Sequence, residues 1–345
     1  MLAILTVQKE PRNPLYMSQK ILITIKLSLS ILLLWFLAHT SKLDFSLLTQ
    51  LLYSPLLLLS TIVLCFIAIG ISSWRWYKLN TAQGIRLTYS QTILPTYLGI
   101  AFNNLLPGGV GGDFFRYYFI NKHISAKKSV IMLSILCDRI TGLMGIFIAV
   151  ALFSVMHIND YQTNHLTLYF LLFSLAFSAS IVVFAIIVRH LPQQIRISHW
   201  LNHTFGHRRW IKPVLSLLDA MRVYRQRKVM LECLIASVII QLFIAITCML
   251  IAYIMHFPPL SLSDYIMALA ITQIVNLIPI APGGFGIGEI AFANVLLLLN
   301  PGIPASYATI FLAYRLIGLL TYLPGISVFI FERHHLKVAV VNKHP

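Results

Sequence analysis

Apolar residues fall in long unbroken runs along this chain. They do not show the alternation of a half-buried strand or the one-sided stripe of a surface helix. A helix needs about 20 apolar residues to cross the hydrocarbon core of a bilayer. Six runs reach or approach that length: roughly 20–38, 54–73, 129–156, 166–188, 229–255 and 305–331. Two further apolar regions are interrupted in the middle. One, 88–120, breaks at Leu106-Pro-Gly-Gly-Val-Gly-Gly112; the other, 265–300, breaks at Ile280-Ala-Pro-Gly-Gly-Phe-Gly-Ile-Gly288. Each pattern predicts a helix, a glycine-rich turn and a second helix. Residues 113–120 are too few to cross before Asn121 and Lys122, so both regions are expected to be re-entrant hairpins. The predicted fold is an all-α polytopic membrane protein with about six full transmembrane helices and two Gly/Pro-broken hairpins.

Composition agrees. Of 345 residues, 58% are apolar and 10% charged, with a mean hydropathy of +0.82; a soluble domain carries about 25% charged residues. A water-soluble globule and a disordered chain are excluded. The first long run has no cleavage site after it and is expected to be an anchor. The four cysteines lie inside apolar runs without metal-ligand spacing and are expected to pack.

The chain carries 26 Lys and Arg against 10 Asp and Glu, a net charge of +16. The positive-inside rule accounts for that excess. With the N-terminus in the cytoplasm, the cytoplasmic segments are 1–19, 74–87, 121–128, 189–228 and 332–345. Segment 189–228 alone holds nine Lys or Arg, whereas the outer loops 39–53, 157–165 and 257–264 share only Lys42. This topology places the protein in the inner (cytoplasmic) membrane with both termini cytoplasmic, and no nucleic-acid partner is needed. Segment 189–228 mixes Arg with Trp200, Trp210, Leu201 and Ile211, which suits amphipathic helix on an anionic leaflet. His199, His203 and His207 have helical spacing there, but no further ligand converges and no metal is expected. Trp74, Trp76 and Tyr77 with Arg75 and Lys78 read as an interfacial belt.

The two broken regions repeat each other. Asn104-Leu-Leu-Pro-Gly-Gly-Val-Gly-Gly-Asp113 matches Asn276-Leu-Ile-Pro, Pro282-Gly-Gly and Gly286-Ile-Gly-Glu289. Asp113 is followed 26 residues later by Arg139, and Glu289 is followed 26 residues later by Arg315. Arg139, Gly142 and Leu143 recur as Arg315, Gly318 and Leu319 at the same offset of 176. Repeats at about 88–156 and 265–331 are separated by three full spans, so they are expected to be inverted. Inverted repeats with broken helices are a recurrent transporter design, because irregular backbone is tolerated in a membrane only where it is buried or lines a wet cavity.

The candidate binding residues follow from this geometry. Gly108, Gly109, Gly111 and Gly112 in one turn, and Gly283, Gly284, Gly286 and Gly288 in the other, feed helix N-termini whose free N–H groups favour an anion. Asp113 and Glu289 stand in those first turns. Asp113 and Arg116 are spaced to pair on one face. Asp138, Arg139 and Arg315 sit deep in apolar spans, where a charge requires a partner or a cavity. These three acids and three arginines cancel formally, so they form either an ion-pair network locking the halves or a head-group site. Asn103, Asn104, Gln273 and Asn276 precede the turns as binding, capping or interhelical groups. Phe292 and Tyr314 replace Arg116 and Asp138 in the second repeat, so the first is expected to supply more of a charged site.

Through Asn104 to Arg116, Pro282 to Glu289 and the intervening Asp138-Arg139, the chain resembles the lysylphosphatidylglycerol synthase transmembrane, or flippase-like, domain family over about 20–331. Some members carry a soluble domain that makes the aminoacylated lipid. Only fourteen residues follow the last span here, so that activity is not expected. The resemblance implies translocation of a lipid or lipid-linked head group. Three functions are open: a flippase for an anionic or phosphate-bearing lipid, a scaffold for an envelope-biosynthesis enzyme, and an intramembrane lipid-phosphate transferase. The last lacks a visible nucleophile–base pair or metal set, so no enzyme activity and no cofactor are expected.

Overall fold

The apolar runs become helices. The computed structural model describes residues 14–40, 43–105, 111–124, 126–156, a few positions between 168 and 179, 227–278, 281–301 and 306–341. Every regular element among them is helical: α1 (Pro14–His39), α2 (Ser46–Tyr53), α3 (Pro55–Ala82), α4 (Tyr89–Leu105), α5 (Gly111–His123), α6 (Lys128–Met156), α7 (Arg227–Ile254), α8 (Leu262–Asn276), a 3-10 turn (Pro282–Gly284), α9 (Ile287–Leu299) and α10 (Ala308–Val341). Segment 189–226 with its histidines, most of 166–188, and Gly108 and Gly109 lie outside the described residues.

Local chemistry sets several boundaries. Pro55 opens α3, where its missing N–H costs nothing. Gly84, at φ 75°, follows the end of α3, and its N–H bonds the Thr81 carbonyl. Ser261 caps α8 in a reciprocal box with Asp264.

Among the described residues, five stretches are long and apolar enough to cross a membrane: Pro55–Ala82, Lys128–Phe153, Lys228–Ile254, Pro282–Leu299 and Ala308–Ser327. Four of them answer to predicted spans. The expected span 20–38 lies within α1, whose apolar part among the described residues is Ser28–His39. Two boundaries differ from expectation. The helix after the 54–73 run continues to Ala82 instead of ending in a loop at 74, and the last helix continues to Val341. The interrupted regions form short legs: α4 has 17 residues, α5 13, α8 15 and α9 13. The last leg reaches spanning length when the 3-10 turn is counted with it, because Ala281 to Leu299 is almost continuously apolar.

The helix contacts map onto themselves when α3–α6 are exchanged for α7–α10. Neighbours α3/α4, α4/α5, α5/α6 and α3/α6 touch, as do α7/α8, α8/α9, α9/α10 and α7/α10. Between the halves α3 packs on α7, while α4 meets α10 as α8 meets α6. Two close approaches hold helices together. A Cβ on Gly112 of α5 would overlap the Gly99 carbonyl of α4, and one on Gly145 of α6 would strike Ser237 of α7. The largest apolar cluster joins Phe147, Ile251, Tyr265, Phe292 and Phe311 from α6 to α10. Leu52, Leu56 and Leu59 are exposed, as suits helices facing acyl chains.

Candidate functional site

The first charged cluster is built around Asp138 of α6. Arg75 of α3 donates from Nε to one carboxylate oxygen at 2.8 Å, and Arg116 of α5 donates from Nη1 to the other at 2.9 Å. Arg75 also donates to Ser237 Oγ of α7 at 2.8 Å, and Ser237 donates to the Cys233 carbonyl at 2.7 Å. One carboxylate thereby ties four helices. Small residues leave room for the guanidinium groups: a Cβ on Gly99 would stand 2.6 Å from Arg116 Nε, and one on Gly142 would stand 3.4 Å from Arg75 Nη1. Arg116 also lies over the Trp76 ring at 5.1 Å, a cation–π contact strengthened by burial.

Next to it, Arg139 pairs with Asp113 in the first turn of α5. This pair is more open, with 35% of the Arg139 side chain and 15% of the Asp113 side chain exposed. The Gly112 N–H beside Asp113 donates to Asn103 Oδ1 at 2.9 Å, so α4 caps the start of α5.

The second cluster repeats this design. Glu289, in the first turn of α9, accepts the Gly286 N–H at 2.7 Å and faces Arg315 Nε of α10 at 3.3 Å. Arg315 Nη2 donates to Asn276 Oδ1 at the end of α8 at 3.2 Å. Its guanidinium sits 4.7 Å from the Phe285 ring and 4.8 Å from the Phe311 ring. Gly284 and Gly288 border Asn276 and Arg315: a Cβ on Gly284 would collide with Asn276, and one on Gly288 with both.

The two turns meet. Gly283, at φ 57°, lies so close to the Asn104 carbonyl that a Cβ there would overlap the oxygen. The Asn104 side chain donates to the Ile100 carbonyl at 2.9 Å and to Tyr322 Oη of α10 at 3.4 Å. The end of the first hairpin's leading helix therefore packs against the second hairpin's turn.

Both spacings of 26 residues become ion pairs, Asp113–Arg139 and Glu289–Arg315. The expected Asp113–Arg116 pair does not form. The adjacent Asp138 and Arg139 point to different partners on α5, so Arg116 turns to Asp138 and leaves Asp113 to Arg139. Gln273 bonds Gln241 of α7 at 2.9 Å, an interhelical role. Gly111 begins α5.

Arg75, Trp76 and Ser237 were not among the expected site residues. The belt expected at 74–78 is corrected for two of its members: Arg75 and Trp76 are buried. The available signal is helical period. Ala68, Ile69, Ser73, Trp76, Leu79 and Asn80 fall on one buried face that carries the helix past the apolar run. Lys78 does stay near the surface, paired with Glu232 at 3.0 Å and over Trp74. With Arg75 included, the formal balance changes. Buried Arg75 (7% exposed), Arg116 (5%) and Arg315 (7%) face buried Asp138 (3%) and Glu289 (0%), an excess of one positive charge.

No individual curated protein matches the chain. A family model described as Lysylphosphatidylglycerol synthase TM region matches residues 23–325, which takes in all these clusters and both broken hairpins. With its long apolar helices, the chain is thus a multi-pass membrane protein belonging to the lysylphosphatidylglycerol synthase TM-region family.

Proposed function

We propose that the protein moves an anionic or phosphate-bearing lipid head group across the inner (cytoplasmic) membrane, with the acyl or prenyl tails remaining in lipid. The observation that carries this reading is the excess of one arginine over carboxylate in the two buried clusters among the described residues, the second of them beside the glycine-rich turn at 282–286. An unneutralised buried guanidinium is costly, and a phosphate would supply the missing negative charge together with bidentate hydrogen-bond acceptors. Family membership favours a lipid as its bearer. The carboxylates act as counter-ions rather than catalytic bases, since each is engaged by arginine.

Alternating access follows from the repeat. The hairpins enter from opposite faces, as the distribution of basic residues implies, and the halves rock about the α3–α7 contact. Both termini and segment 189–228 lie on the cytoplasmic side. The partly exposed Arg139 is the most accessible of the four cluster arginines to an arriving head group.

Translocation of fluorescent phosphatidylglycerol in proteoliposomes, read by dithionite quenching, tests this. Wild type is expected to exceed protein-free vesicles. Arg139→Ala is expected to slow transport by about tenfold or more, the equivalent of one lost hydrogen bond to a charged group. Its thermal midpoint is expected to change little, because the pair is partly solvated. Equal rates for wild type and Arg139→Ala, with every anionic lipid tried, would count against transport at this site.

A further inference from the structure

The three carboxylates of the two clusters have different surroundings. Asp138 is shared between two guanidinium groups at 2.8 and 2.9 Å. Asp113 is paired with Arg139 in the more open part of the site. Glu289 is wholly buried and, among the described residues, faces one charged partner, Arg315, at 3.3 Å. Among the described residues its Oε1 accepts no hydrogen bond, and the buried Nη1 of Arg315 donates none. A guanidinium and a carboxylate thus lie side by side with hydrogen-bonding capacity unused on both.

The groups around Glu289 come from α8, α10, α1 and the turn before α9, the described elements that pack most on α9 and that turn. From α10 comes Arg315, with Tyr314 and Tyr322 beside it. From α8 comes the neutral amide of Asn276, from the turn the Gly286 N–H, and from α1 Leu33 against Gly286. The donors at this N-terminus, a backbone amide and a guanidinium, are those that would bind a phosphate. Glu289 already takes the Gly286 N–H and supplies the counter-charge to Arg315, so an incoming anion must compete with its carboxylate. Protonation removes that competition: a neutral carboxyl leaves both donors to the ligand. Asp138 is unsuited to this exchange, because its protonation would leave two buried arginines without a counter-charge.

From this arrangement we infer that Glu289 is a proton-binding site coupled to the substrate. It takes up a proton as the head-group phosphate enters the α9 N-terminus and Arg315, and proton and anion cross together. This inference rests on the transport reading above. The step balances: one proton moves from bulk water to the Glu289 carboxylate as one phosphate negative charge arrives, and both leave on the other side.

Two measurements separate failure of coupling from failure of transport. The first is proton uptake by purified protein in weakly buffered nanodiscs of neutral lipid when phosphatidylglycerol is added. Wild type is expected to take up close to one proton per lipid bound, and Glu289→Gln none; binding by wild type without uptake overturns the inference whether or not transport occurs. The second is translocation under an imposed pH gradient. The wild-type rate is expected to rise by up to about tenfold per pH unit, the limit for one coupled proton. Glu289→Gln is expected to lose that response at whatever rate it retains, while Asp113→Asn keeps it. A gradient response preserved in Glu289→Gln overturns the inference, and translocation absent in wild type under every gradient overturns the transport reading instead.

Discussion

Asp138→Ala is expected to destabilise the protein more than any other single substitution in the charged clusters, by about 3–5 kcal/mol, the range for removing one partner of a buried ion pair. Two buried arginines lose their shared acceptor at once. Arg116 keeps its ring contact with Trp76 and Arg75 keeps Ser237, but neither partner carries negative charge. The check is a thermal or denaturant melt in detergent, followed by a compensated variant. Combining Asp138→Leu with Arg75→Met and Arg116→Met removes all three charges, and apolar replacement of a buried ionic group is often neutral or stabilising. The triple variant is expected to recover most of the lost stability while failing to transport. Recovery of both would make the cluster a structural lock only. A single Asp138→Ala variant as stable as wild type would contradict the geometry of the cluster itself.

Gly283→Ala carries the second large effect. The residue has a left-handed backbone, which costs an L-residue roughly 1–2 kcal/mol. Its new methyl would also overlap the Asn104 carbonyl, and overpacking of this kind adds about 1–3 kcal/mol. Gly84 is the internal control. It too has a positive φ, of 75°, but a Cβ there meets nothing within 4 Å. Gly84→Ala is expected to show the backbone cost alone. The difference between the two variants therefore reads the contact between the hairpins directly. Transport is expected to fall in Gly283→Ala and to persist in Gly84→Ala, because only the first forces the end of α4 away from the second turn. Equal effects on melting would mean that Asn104 and Gly283 do not touch.

Much of this arrangement was legible in the sequence because charge is so costly in a membrane. The paired spacings from Asp113 to Arg139 and from Glu289 to Arg315 stand out against apolar surroundings, and both become ion pairs. The substitution of Phe292 and Tyr314 for Arg116 and Asp138 also has a structural counterpart. Phe292 stacks with Phe311 in an apolar layer, while the first half holds the two-arginine cluster. The exchange of partners between Arg116 and Arg139 was not legible, since helical spacing offers Asp113 to Arg116 and only the packing of α5 on α6 turns them apart. Arg75 was hidden for another reason. Flanked by tryptophans at the end of an apolar run, it has the composition of a membrane interface, and only the approach of α6 and α7 shows it to be interior. The contact between Asn104 and Gly283 joins residues far apart in sequence and left no local signal.

The most direct measurement is an experimental density map of the protein in nanodiscs containing phosphatidylglycerol. The expected map has the end of α4 at Asn104 against the turn at Gly283, with a hydrated space beside them and head-group phosphate density within hydrogen-bonding distance of Arg139 or Arg315. A map with the two turns separated by acyl chains, and lipid phosphate confined to the membrane surfaces, would contradict it.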